Sequence, residues 1–215
     1  MVNELINYLK KKYMNESSGH DFEHLYRVYL NALEINRVEK EAETMITLLS
    51  FLHDEFDDKF YQGDIDSDLK TLLMSCNISI SEFDYEILLS DIRNFGYKGG
   101  FNKQPLSKVG KIVSDADQLD AMGAIGIART FMYGGSKKST MYIKDLEFKP
   151  LEQYSEYREK RPVLWHFLDK LLLLKDNMKT ETGKQMAIER HQFMIEFLNQ
   201  FEKETGYGFS NQLSE

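Results

Sequence analysis

Cysteine is almost missing from this chain: Cys76 stands alone among 215 residues. An intramolecular disulfide and a thiolate-based zinc site are both excluded. Proline is nearly as scarce, confined to Pro105, Pro150 and Pro162, so little in the sequence interrupts a helix. Long apolar runs are absent. "LLLL" at 171–174 is among the longest, far short of the about 20 residues that cross a bilayer as a helix. The N-terminal "MVNELINYLKKKYMN" carries charge throughout and has no apolar h-region, so it does not read as a signal peptide. A cytoplasmic protein is expected. Positive charge is in deficit, with 27 Lys and Arg against 35 Asp and Glu and a net charge of -8. Polymeric nucleic acid is therefore a poor partner, because binding it rests on neutralising many phosphates. A small phosphorylated substrate met by a few local cations is not excluded.

What is present is globular. Hydrophobic residues make up 42% of the chain and charged residues 29%, which argues against disorder. The length suits one large domain or two small ones. Apolar residues recur at helical spacing. Leu5, Ile6, Leu9 and Tyr13 form one stripe; Leu25, Val28, Tyr29, Ala32 and Ile35 form another within about 22–38. "EAETMITLLSFLHD" is apolar up to its His-Asp end, and Ser81 reads as a helix cap ahead of "EFDYEILLSDIRNFGY". "KVGKIVSDADQLDAMGAIGIARTFMYGG" reads as one helical stretch with Gly123 and Gly126 inside it, stopping at a Gly-Gly. "WHFLDKLLLLKDNM" and "ETGKQMAIERHQFMIEFLNQFEKETG" read as two closing helices, the second capped by Thr180 or Thr182. Residues 55–80 and 134–155 read as irregular excursions. Repeats and low-complexity linkers are absent. The expected fold is all-α, a single domain spanning 1–215, built as a helical bundle with a central metal site.

The chemistry concentrates in a few polar residues set into apolar helices. Of only five histidines, His20 and His24 lie one helical turn apart in "GHDFEHLYRV", a spacing that puts both rings on one face. Gly19 just before them sets His20 at the helix entry. His53 and Asp54 are adjacent, so they reach one ion only if it sits over the edge between them. Asp115, Asp117 and Asp120 follow in "SDADQLDAMG", with Asp117 and Asp120 on a shared face. A helical Asp is usually solvated or a cap, and His166 and His191 read as core or surface residues. Carboxylates in apolar helices are costly unless paired or metal-bound, however, and three such motifs occur on separate apolar segments. Imidazoles with carboxylates suit Mn, Fe, Zn, Ni or Co better than Ca.

The ordered set His24, His53-Asp54 and Asp117 resembles the HD-domain metal-dependent phosphohydrolase superfamily. "LLSFLHDEFDDK", "YKGG", "KIVSDADQLDAMGAIGIARTFMYGG" and "TETGKQMA" further resemble its small bacterial YpgQ-type nucleotide pyrophosphohydrolases, over roughly residues 17–203. The resemblance implies His24, His53, Asp54 and Asp117 as ligands of one divalent metal, manganese first, with Fe, Ni, Co, Zn or Mg as alternatives. It implies hydrolysis of a nucleotide, a (deoxy)nucleoside triphosphate with release of pyrophosphate, by a monomer or homodimer. One position departs from the pattern: the family run carries a basic residue where this chain has Gln118, so a substrate-charge contact there is not carried over.

Around these ligands, Asp57 lies three residues beyond Asp54, where a carboxylate orients or deprotonates the attacking water if the helix continues. His20 is expected to hold substrate or water. Arg27, Lys59 and Lys98 are the candidate cations for phosphate oxygens, and the glycines around Lys98 allow a ligand to approach the backbone. Asp120 is expected to hold a water, a ligand imidazole or a nearby cation and so orient the ligands. Arg129 reads as an internal ion-pair partner. Two rival functions remain: a non-catalytic nucleotide-binding regulatory module, and a phosphatase or phosphodiesterase on another phosphorylated small molecule. The cyclic-dinucleotide branch is disfavoured because its Gly-Tyr-Pro signature is absent.

Overall fold

The structure is a computed structural model that describes residues 2–16, 19, 21–57, 61–96, 104–144, 146, 148–153, 156 and 160–208. Its elements are helical: α1 (Asn3–Lys12), α2 (Phe22–Glu39), α3 (Glu43–Leu52), α4 (Ile65–Ser75), α5 (Glu82–Asn94), α6 (Lys108–Asp120), α7 (Gly123–Ser136), α8 (Trp165–Asp169), a 3-10 helix (Leu171–Asn177) and α9 (Glu181–Thr205). None of them is long and apolar enough to cross a membrane. The described residues fall into two compact units, those within 1–96 and 103–117 and those within 118–215.

In the first unit α3 is the hub. Every residue from Met45 to Leu52 is buried, as the near-continuous apolar run demands. Helix α2 packs along it and turns Leu25, Val28, Ala32 and Ile35 inward. Helix α1 contributes Leu5 and Leu9. The caps follow local chemistry. Ser81 accepts from the Asp84 N–H, and Asp64 accepts from the Asp66 N–H, each in the extended conformation that a capping residue takes. At the start of α6, the buried Asp91 carboxylate on α5 accepts from both the Ser107 N–H (2.8 Å) and the Ser107 hydroxyl (2.5 Å), which ties α6 to α5.

The second unit rests on α9, which packs against α7 and the 3-10 helix. Phe131, Phe167, Phe197 and Phe201 form an aromatic cluster around the buried Phe167, with Phe167 and Phe197 stacked at 5.9 Å. Thr180 is the cap of α9, accepting from the Gly183 N–H at 2.9 Å.

Three expectations change. The 55–80 segment contains α4, whose first turn holds Asp66 and Asp68; acidic residues that looked like loop sit where the helix dipole favours negative charge. The segment read as one closing helix before α9 is α8 followed by a 3-10 helix, broken at Lys170 (φ -142°). The long "KVGK…MYGG" stretch is two helices, and α7 runs through its Gly-Gly to Ser136. The break is where glycine is required. Gly123 has φ +65°, a conformation that costs other residues energy. A Cβ on Gly126 would fall inside the van der Waals envelope of the Ala121 carbonyl. Gly126→Ala should therefore lose about 1–3 kcal/mol of stability by overpacking, although alanine is the better helix former. A melting temperature equal to or above that of the parent chain would show that the turn yields freely.

Candidate metal centre

The first unit carries His24, His53, Asp54 and Asp117 to one place from three helices. On α2, Asp21 adopts an extended conformation and its carboxylate accepts the His24 N–H at 2.8 Å. That cap fixes the first turn, and His24, three residues on, points into the interior with the apolar face. On α3 the helix ends at Leu52; His53 is its C-cap, with its N–H still donating to Leu49 O at 2.9 Å. Residues 53–56 form a turn, so Asp54 sits at a helix exit. The third element is α6, whose Ala116 carbonyl accepts from Asn31 Nδ2 of α2 at 3.3 Å, a tie placed one residue before Asp117.

The side-chain atoms converge. His24 Nε2 is 3.3 Å from Asp54 Oδ2 and 3.6 Å from Asp117 Oδ1. His53 Nε2 is 3.6 Å from Asp54 Oδ1 and 3.9 Å from Asp117 Oδ1. The ligand atoms of His24, His53 and Asp117 all lie within 4.8 Å of one another. Atoms bound at about 2.0–2.2 Å to one ion stand roughly 3–4 Å apart, and the four nitrogen–oxygen distances, 3.3 to 3.9 Å, fall in that range. The chemistry of the donors agrees. His53 Nδ1 lies 2.8 Å from the Ser50 carbonyl, so it carries the proton and donates, leaving Nε2 with its lone pair. That Nε2 is buried and makes no hydrogen bond, a state that is expensive for a polar atom without a partner. The residues present thus fit a divalent cation held by two imidazoles and carboxylate oxygens.

The other expected residues divide. Arg27 lies on α2, one turn beyond His24, and is half-buried. Asp57 is half-buried, and its N–H is 3.3 Å from Asp54 O. Because α3 stops at Leu52, Asp57 is positioned by the turn and not by the helical offset from Asp54 on which its expected place was based. His20, Lys59 and Lys98 lie outside the described residues. Asp115 is fully buried.

Asp120 belongs to the second unit, where its partner is a cation: Oδ2 accepts from Arg129 Nη1 at 2.9 Å. In the same unit Arg190 Nη1 donates to Leu119 O at 2.5 Å, and burial lowers the pKa of its guanidinium, with the Asp120 charge acting in the opposite direction. This accounts for both ends of "TETGKQMAIER": Thr180 caps α9 and Arg190 holds the Leu119 carbonyl of α6.

Several contributors to the site were not singled out from sequence. Phe95, at the end of α5, lies with its ring centroid 5.2 Å from that of His53. The Ser50 carbonyl is a backbone group and leaves no side-chain signature. Asp21 had one, a capping residue three positions ahead of a helical histidine.

A scan of the sequence against protein-family models finds no match. Individual proteins do match. YpgQ of Bacillus subtilis (strain 168), an uncharacterised protein, is 36% identical over 193 residues, 88% of this chain and 86% of the relative. The crystal structure of Bacillus subtilis YpgQ in complex with ADP superposes with a TM-score of 0.73 at 30% identity, covering 93% of this chain and 97% of that one. An HD-superfamily hydrolase from Bacillus thuringiensis superposes with a TM-score of 0.73 at 34% identity, covering 94% and 95%. Identity at this level over nearly the whole of each chain accompanies the same helical architecture, so the chain belongs to the HD superfamily of hydrolases, in the group typified by YpgQ.

Proposed function

We propose that the protein is a divalent-metal-dependent phosphohydrolase acting on nucleotides, with (deoxy)nucleoside triphosphates as substrates and pyrophosphate as a product. The observation that carries this reading is the convergence of the donor atoms of His24, His53 and Asp117, with the Asp54 carboxylate 3.3 Å from His24 Nε2 and 3.6 Å from His53 Nε2. The nucleotide class is supported by the ADP complex of YpgQ. His24, His53, Asp54 and Asp117 would hold the ion, a mixed nitrogen and oxygen set that accepts several divalent metals, with manganese the first to try on the family resemblance. Bound there, such an ion lowers the pKa of a coordinated water and polarises a phosphoryl oxygen.

The chain's own groups do the remaining work. The hydrogen bond from His53 Nδ1 to Ser50 O keeps Nε2 aimed at the site. Asp57 orients the attacking water and accepts its proton. Arg27, Lys59 and Lys98 meet the phosphate oxygens, where charge develops in the transition state, and His20 holds substrate or water at the entry of α2. Asp120 acts at one remove through its pair with Arg129. Water attack at the α-phosphorus breaks the bond to the bridging oxygen and releases pyrophosphate and a nucleoside monophosphate.

A nucleotide panel tests this. The protein with Mn²⁺ should convert nucleoside triphosphates to monophosphate and pyrophosphate; a chelator should stop the reaction and added Mn²⁺ restore it. Inorganic phosphate as the product would move the attack to another phosphorus. Tight nucleotide binding without turnover would favour a regulatory module instead. Within the same assay, Asp57→Asn should keep metal and substrate affinity and lower kcat by about 10²–10⁴-fold. An unchanged kcat would make Asp57 a solvated turn residue.

A further inference from the structure

Beside Asp54 lies a carboxylate that is nowhere near solvent in the way a charged turn residue usually is. Glu55 is only 9% exposed, and three donors meet it. Its Oε1 accepts from Lys12 Nζ at 2.5 Å and from the Tyr8 hydroxyl at 3.2 Å; its Oε2 accepts from the Tyr13 hydroxyl at 3.3 Å. Lys12 also lies over the rings of Tyr8 (6.0 Å) and Tyr13 (5.8 Å). Burial first, and then the Glu55 charge, pushes the Tyr8 phenol up to about 12 and the Tyr13 phenol higher still. Both therefore keep their protons and donate at neutral pH.

The donors come from α1 and the residue just after it, and the acceptor comes from the turn that follows α3. Helix α3 stops at Leu52, and the turn after it is closed by His53 N–H donating to Leu49 O, Glu55 N–H to Leu52 O at 3.1 Å and Asp57 N–H to Asp54 O at 3.3 Å. A side chain anchored by charge-assisted bonds one residue after Asp54 adds a constraint from a distant part of the chain. Sequence separations of 42 to 47 residues between these partners make the anchor a tertiary device.

We propose that Glu55 is a positioning residue: by gripping Lys12, Tyr8 and Tyr13 it lets α1 fix the turn that presents His53 and Asp54 to the metal ion. The proposal rests on the metal-centre reading above. Partners that orient metal ligands are typically worth 10–100-fold in metal affinity or activity, and the same scale is expected here.

Mn²⁺ affinity, measured by calorimetric titration without substrate, tests it apart from hydrolysis. Glu55→Gln and Lys12→Met should each weaken Mn²⁺ binding about 10–100-fold, while Lys12→Arg, which keeps a charged donor, should retain most of the affinity. Lys70→Met, which breaks the exposed Lys70–Asp66 pair in the same unit, should leave affinity unchanged. If Glu55→Gln fails to fold, Lys12→Met decides, since its side chain is 43% exposed and tolerates replacement. A lower melting temperature in Lys12→Met with Mn²⁺ affinity equal to that of the parent would show a purely structural tie and overturn the proposal. A parent chain that binds no Mn²⁺ overturns the metal-centre reading and this proposal with it. A parent that binds Mn²⁺ without hydrolysing nucleotides overturns only the hydrolase reading.

Discussion

His53→Ala should abolish divalent-metal binding and nucleotide hydrolysis together. The buried His53 side chain has one nitrogen at the Ser50 carbonyl and the other facing Asp54 and Asp117. On the proposed reading, alanine removes a nitrogen ligand and puts only a methyl group in its place. What remains of the proposed set is one imidazole and the carboxylates of Asp54 and Asp117, one donor fewer for the ion. Elemental analysis after dialysis against Mn²⁺, paired with turnover of the preferred nucleotide, checks both losses at once. Metal at full stoichiometry in the variant would remove His53 from the set. The fold itself should survive, because α3 is held by its own apolar surface from Met45 to Leu52. Circular dichroism should thus be nearly the same for the variant, the chelated parent and the loaded parent. A helical signal that collapses on chelation would instead make the ion a structural one.

Much of this was legible because the elements that carry the site are the most strongly patterned ones. The apolar stripe of α2, the solid apolar run of α3 and the Ser81 cap of α5 are local signals, and the structure has helices at all three. His24 and His53 stand out because polar residues in such segments need partners. The break between α6 and α7 was hidden because periodicity continues across it, and glycine at Gly123 and Gly126 reads equally as a tolerated helix residue. Only the positive φ of Gly123 and the Ala121 carbonyl beside Gly126 tell the two apart. Helix α4 was hidden by its acidic first turn. The grip on Glu55 could not be seen at all: neither "NYLKKKY" nor "HDEF" signals the other, and their meeting is decided by how α1 packs. For Asp57 the condition attached to its offset, that the helix continue, is not met, because α3 stops at Leu52.

The sharpest test of the site compares Asp117 with Asp120, three residues apart on α6. Spacing alone places them on one face, but the structure gives them different partners. Asp117 is 31% exposed, with Oδ1 near both imidazoles at 3.6 and 3.9 Å. Asp120 is 2% exposed and its Oδ2 is 2.9 Å from Arg129 Nη1. The first arrangement leaves a carboxylate oxygen open to a cation; the second engages one with a guanidinium. Asp117→Asn replaces an anionic ligand by a neutral amide of nearly the same shape, so metal binding should be lost while the melting temperature of the metal-free protein barely moves. Asp120→Asn keeps an acceptor for Arg129 but removes the charge that balances it. Breaking a buried pair costs about 3–5 kcal/mol when one partner is deleted outright, and the amide should bring that towards the low end. Metal affinity should then fall by no more than the 10–100-fold typical of a residue that acts through another. The two variants thus separate on two axes, affinity for Asp117 and stability for Asp120. If Asp120→Asn lost the metal and Asp117→Asn kept it, the ion would have to be read one helical turn further along α6.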